Sequence, residues 1–141
     1  MAEVFGTAAS ALAVIELAVK ITKLCAQYVE DVSNARDDIG RINTEVTNLK
    51  AVTESVRKLL DGPQGTKLRT SQNLYTALQD GQGELQRLEE DLTSRKSRKA
   101  MRRCGLRALK WPFRSEDVQK KVDILQRCSQ TISLALQVDQ T

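Results

Sequence analysis

The chain has 141 residues, with 22 Lys and Arg against 18 Asp and Glu for a net charge of +4, and it contains no histidine. That length supports one domain over residues 1–141 with a core that needs no disulfide staples. The missing histidine excludes a histidine general base, a Ser-His-Asp triad and histidine-ligated metal. Three cysteines, Cys25, Cys104 and Cys128, form no C-x-x-C pair and read as reduced thiols in a cytosolic protein. Proline is confined to Pro63 and Pro112 and aromatics make up 4% of the chain, a composition that favours helices over sheet.

The chain opens on twelve uncharged residues, "VFGTAASALAVI", from Val4 to Ile15. From Val14 the apolar positions step by three and four through Leu17, Ile21, Leu24 and Tyr28, the pattern of an amphipathic helix. Extending that row backward lands on Ser10, Thr7 and Glu3. The bundle-facing row turns polar where the segment as a whole is most apolar, so residues 4–13 read as a different kind of element from residues 14–30. An acidic start, Met1-Ala2-Glu3, argues against a secretory signal. Residues 2–19 as a helix would reach roughly 27 Å, just short of the ~30 Å hydrocarbon core of a bilayer. Glu3 and Glu16 lie inside that stretch, and a carboxylate near mid-membrane costs several kcal/mol for a lone helix. Small residues at Gly6/Ser10 and Ala9/Ala13 permit close helix contact, which lets associated copies turn their acids toward a shared lumen. Val4, Phe5, Gly6, Ala9, Leu12, Ala13, Val14, Ile15 and Glu16 are the candidate membrane-inserting residues. The plainer reading is a helix start that lies against the bundle.

A second helical row runs through Ile39, Ile42, Val46, Leu49, Val52 or Thr53, Val56 and Leu60. It ends at "DGPQG", where Gly62 is expected in the left-handed cap conformation and Pro63 blocks continuation. A third row uses Leu74, Leu78, Gly81, Leu85, Leu88 and Leu92. A fourth, with Ser115 as its hydroxyl cap and Glu116 and Asp117 in the first turn, uses Val118, Val122, Leu125, Ser129, Ile132 and Leu136. Four amphipathic helices joined by short or moderate connections make an all-α four-helix bundle.

Between the third and fourth rows lies "RKSRKAMRRCGLRALKWPFR", residues 95–114, with nine basic residues and no acid. The remainder carries thirteen basic against eighteen acidic residues, so the protein reads as an acidic body with one basic strip. Wound as a short extra helix, the strip sets Met101, Cys104, Ala108 and Trp111 on one side and Lys99, Arg103, Arg107 and Lys110 on the other. Such a helix suits an anionic surface, with tryptophan at the headgroup level, and each basic residue adds about 1 kcal/mol of attraction there. Arg95, Lys96, Arg98, Lys99, Arg102, Arg103, Arg107, Lys110, Trp111 and Arg114 are the candidate contacts to anionic lipid. The alternative is a solvated connector whose Trp-Pro-Phe plugs the bundle end. Stacking aromatics are too few for a nucleic-acid partner.

Four stretches, "MAEVFGTAASALAVIELA", "LLDGPQG", "GLRALKWPF" and "SLALQVDQT", resemble the N-terminal domains of fungal STAND (NOD-like) receptors, the HeLo-like group. The likeness spans nearly the whole chain. It implies a helical effector bundle followed in the full protein by a nucleotide-binding oligomerisation module and a repeat sensor, and the "QVDQT" ending fits an excised domain. It also implies a cytoplasmic protein that clusters, moves to the plasma membrane and permeabilises it with its N-terminal helix, here Ala2–Val19. The sequence departs from the pore-forming pattern in its weak small-residue zipper. The expectation is therefore a non-enzymatic, cofactor-free domain that self-associates and engages anionic lipid in regulated cell death or allorecognition. The alternative is a homotypic adaptor bundle that never touches lipid.

Overall fold

A computed structural model describes residues 2–31, 35–63, 65, 68, 71–93 and 111–140, with the side chains of residues 2–5, 31 and 138–140 left out. Four helices carry the fold: α1 (Ala2–Asp31), α2 (Arg36–Leu60), α3 (Gln72–Leu92) and α4 (Ser115–Gln140). No strand occurs among the described residues. Of the expected short basic helix within 95–114, residues 95–110 lie outside them, and residues 111–114 are not helical.

α1 packs against α2 and α3, and α4 packs against the same two, so α1 and α4 face each other across the core. Side-chain pairs give the directions. Ser10 meets Gln79 and Tyr28 meets Leu92, so α1 and α3 run parallel. Asp38 meets Ser115 and Glu45 meets Gln126, so α2 and α4 run parallel. Lys121 of α4 meets Asp91 of α3, and these two run antiparallel. The result is an up-down-up-down bundle closed by four seams.

The apolar rows read from sequence form the core. Every position of the α2 and α3 rows is buried, with Thr53 rather than Val52 turned inward and its hydroxyl donating to the Leu49 carbonyl at 2.8 Å. On α4, Val118, Val122, Leu125, Ile132 and Leu136 are buried and Ser129 is half-buried. On α1, Val14, Leu17, Ile21 and Tyr28 are buried and Leu24 is half-buried; Ala18 and Cys25 fill the remaining inward positions.

Two local expectations are corrected. The α2 stop does not use a left-handed Gly62: Asp61 closes the helix in the right-handed region, and φ of Gly62 lies outside the left-handed range. Close backbone approach requires glycine at Gly65 instead, where a Cβ would stand 1.9 Å from the Leu60 carbonyl oxygen. At the start of α4, the Ser115 hydroxyl donates to the Asp38 carboxylate at 3.0 Å, tying α4 to α2. The serine that caps a helix is Ser71, whose oxygen accepts from the Leu74 amide at 3.1 Å.

Candidate functional site

The N-terminal segment is not a separate element. α1 runs unbroken from Ala2 to Asp31, and its inward row continues ahead of Val14 through Ala11, Ser10 and Thr7, which are 0%, 3% and 0% exposed. The row turns polar, as the sequence says, yet stays inside. Small side chains make this possible. The Gln79 amide donates to the Ser10 hydroxyl at 2.5 Å, and the Tyr75 ring lies so close to Gly6 that a Cβ there would meet its Cε2 at 2.6 Å. Gly6 and Ser10, four apart on α1, face Tyr75 and Gln79, four apart on α3. The small-residue pair noted in the sequence thus serves a contact within the bundle. Opposite them, the "YTALQ" spacing of α3 is the signal a sequence reading could have used.

The candidate inserting residues divide around α1. Gly6 and Val14 face the bundle, Ala13 and Ile15 sit half-buried on its flanks, and Ala9, Leu12 and Glu16 face outward. The side chains of Val4 and Phe5 lie outside the described set. Leu12 is 40% exposed and is one of three large hydrophobics so exposed among the described residues, with Ile124 and Leu134 of α4. The outward surface of α1 from residue 8 to residue 15 is therefore uncharged, and the exposed Glu16 follows it. No helix of the described residues is long and apolar enough to cross a membrane.

Of the candidate lipid contacts, Arg95, Lys96, Arg98, Lys99, Arg102, Arg103, Arg107 and Lys110 lie outside the described residues. Arg114 is exposed. Trp111 is half-buried and packs edge-on against Tyr28 and Phe113, with ring centroids 5.2 and 5.1 Å apart. Lys121 sits 4.8 Å over the Phe113 ring, and the Tyr28 hydroxyl donates to the Leu92 carbonyl at 2.7 Å. In this arrangement the Trp-Pro-Phe stretch plugs the pole of the bundle where α1 and α3 end. The N-terminus of α1 lies at the other pole.

Burial pushes the Cys25 thiol up to about 11. Burial also raises Cys128, and the carboxylates of Glu84 and Asp80 add to the rise while Arg127 opposes it. Both thiols are therefore protonated and weakly nucleophilic near neutral pH. No group of three or more Cys, Asp or Glu among the described residues is placed to hold a metal ion.

The family model described as "Pigment biosynthesis cluster protein PigL N-terminal" matches residues 2–139. No curated protein and no solved structure matches the chain.

Proposed function

The chain belongs to the family of PigL N-terminal domains, and from that premise we propose that it is a HeLo-like, non-enzymatic effector bundle of a STAND receptor. On this reading it sits in the cytoplasm ahead of nucleotide-binding and repeat domains. When the receptor clusters, the bundle self-associates, binds anionic lipid of the plasma membrane through the basic strip, and perturbs the bilayer with residues 2–19. The outcome is regulated cell death or allorecognition.

The observation that carries the reading is the two-faced build of α1. Between Gly6 and Ala13 it presents Ala9 and Leu12 outward with no charge, while the inner face of this stretch is held by Gly6, Thr7, Ser10 and Ala11 rather than by large apolar groups. Small side chains bury little area, at about 25 cal/mol per Å² of apolar surface. This stretch is thus held less firmly than the half that carries Ile21 and Tyr28. A segment that is apolar outside and lightly held inside is suited to move from protein to lipid.

The contact of Gly6 and Ser10 with α3 favours the adaptor alternative, because it commits the small-residue pair to the folded bundle. Dye leakage from anionic and neutral vesicles separates the two readings. Leakage from anionic vesicles that is lost in Leu12→Glu supports the effector. A folded, self-associating protein that leaks no vesicle supports the adaptor.

A further inference from the structure

The chain that carries the basic strip leaves the bundle after α3 and returns ahead of α4, and both of its ends meet one side chain of α1. Tyr28, 0% exposed, donates its hydroxyl proton to the carbonyl of Leu92, the last residue of α3, at 2.7 Å. Its ring stands edge-on to that of Trp111, with centroids 5.2 Å apart. The two contacts differ in kind. The last four carbonyls of a helix have no intrahelical partner, and the tyrosine supplies one to Leu92. Trp111 has ring contacts on Tyr28 and Phe113, yet its Nε1–H is buried and meets no acceptor among the described residues.

A buried donor left unmatched is costly. Lys110 directly precedes Trp111, and consecutive Cα atoms lie about 3.8 Å apart. A strip resting on anionic lipid therefore brings the indole within reach of the headgroups, where its N–H finds oxygen acceptors and water. The ring has aromatic packing with an unmatched donor at the bundle pole, and a matched donor at the lipid surface. Phe113 is held differently. Lys121 lies 4.8 Å over its ring and pairs with Asp91 at 3.3 Å, which ties this residue to α3 and α4.

We infer that Tyr28 is a positioning residue for the basic strip, and that anionic lipid opens its clasp: Trp111 leaves the Tyr28 ring for the headgroups while Leu92 and Phe113 stay in place. This rests on the lipid binding proposed above and names the contact that regulates it. The lipid-bound state lacks the Tyr28–Trp111 contact, so that contact opposes binding, and whatever weakens it tightens binding. The linkage is reciprocal. Lipid on the strip removes a neighbour from the C-terminal half of α1, the helix whose first half is the inserting segment.

Two experiments test it. The chain has one tryptophan, so replacing it with 5-fluorotryptophan gives a single fluorine resonance. That resonance should move in step with binding to nanodiscs of phosphatidylserine and phosphatidylcholine, and stay in place with phosphatidylcholine alone. Bound protein with an unmoved resonance overturns the clasp and leaves the lipid reading standing. A chain that binds neither nanodisc overturns both. The second experiment compares affinities for the anionic nanodisc. Tyr28→Leu should bind about fivefold more tightly, the scale of one edge-on aromatic pair. Tyr28→Phe keeps the ring and should bind like the parent. Val56→Ala, a change in the buried row of α2, should destabilise the fold and still bind like the parent. Tyr28→Leu with parental affinity, or Val56→Ala tightening as much, overturns the role of Tyr28. The fluorine measurement uses the unmutated chain, so it decides even where Tyr28→Leu does not fold.

Discussion

Ser10 accepts a hydrogen bond from the Gln79 side-chain amide across the α1–α3 seam, 2.5 Å apart, with the serine 3% exposed. An isolated bond of this kind contributes about 1 kcal/mol, more when a partner is left buried and unmatched. Ser10→Ala should therefore lower stability by ~1 kcal/mol, and Gln79→Ala by a similar amount. A double-mutant cycle in urea should return a coupling near ~1 kcal/mol. Additive losses would mean that the bond contributes nothing in solution.

The glycines give a sharper contrast. A Cβ at Gly40 or Gly83 meets no atom within 4 Å, and both lie inside helices. Each should gain about 0.5–1 kcal/mol on change to alanine, since glycine costs roughly that much in a helix interior. Gly65→Ala should do the reverse, because its Cβ would collide with the Leu60 backbone. Thermal melts of the three variants should rank Gly40→Ala and Gly83→Ala above the parent and Gly65→Ala well below.

The large-residue core was legible from spacing alone because Leu, Ile and Val at steps of three and four have one physical reading. The beginning of α1 was not. Thr7 and Ser10 are polar, and a polar residue on a helix reads as solvent-facing until the partner that takes its hydroxyl is known. Gly6 is similarly ambiguous: what makes it a contact is Tyr75, nearly seventy residues away. Trp111 carried two readings in sequence, and only its packing on Tyr28 and Phe113 shows the ring serving as a plug.

Cys25 predicts a pH dependence. Its thiol is raised from an ordinary 9.0 to about 11 by burial, so the unfolded chain gives up this proton first as pH rises. The stabilisation is complete below pH 9 and is lost as pH climbs through 11. A shift of two units corresponds to about 2–3 kcal/mol. The stability difference between the parent and Cys25→Ala should hold steady to pH 8 and move against the parent by about that amount by pH 11. A constant difference across the range would show that the thiol titrates normally.

Trp111 is the single tryptophan of the chain, so its fluorescence reports the plug directly. If the ring stays packed on Tyr28 when the protein binds anionic vesicles, the emission maximum and its quenching by lipid-borne bromine should not change. A blue shift with strong bromine quenching would show that the ring leaves the bundle for the headgroup level. Trp111→Ala should cost about 3 kcal/mol in stability if the plug holds the pole together.

Removing residues 2–13 tests what the N-terminal half of α1 is for. Among the described residues the deletion takes away three buried ones, Thr7, Ser10 and Ala11, and the contacts of Gly6 with Tyr75 and of Ser10 with Gln79. It also uncovers the part of α3 they rest on. The loss should be about 3 kcal/mol, roughly 10 °C in Tm for a chain this size, and not the complete unfolding that loss of a large-residue core helix would bring. Leu12→Glu separates folding from function because its side chain lies on the outer face of α1, 40% exposed: stability should change by less than about 1 kcal/mol. In a bilayer the same carboxylate costs about 3 kcal/mol near the centre of a helix, so vesicle leakage should fall sharply. The two variants are to be compared by melt, by leakage and by killing in cells that express the protein. Leu12→Glu that melts like the parent but neither leaks nor kills assigns the outer face of α1 to lipid. Leu12→Glu that leaks and kills normally removes the membrane role from this segment, and cell killing without any leakage assigns the bundle to the adaptor class.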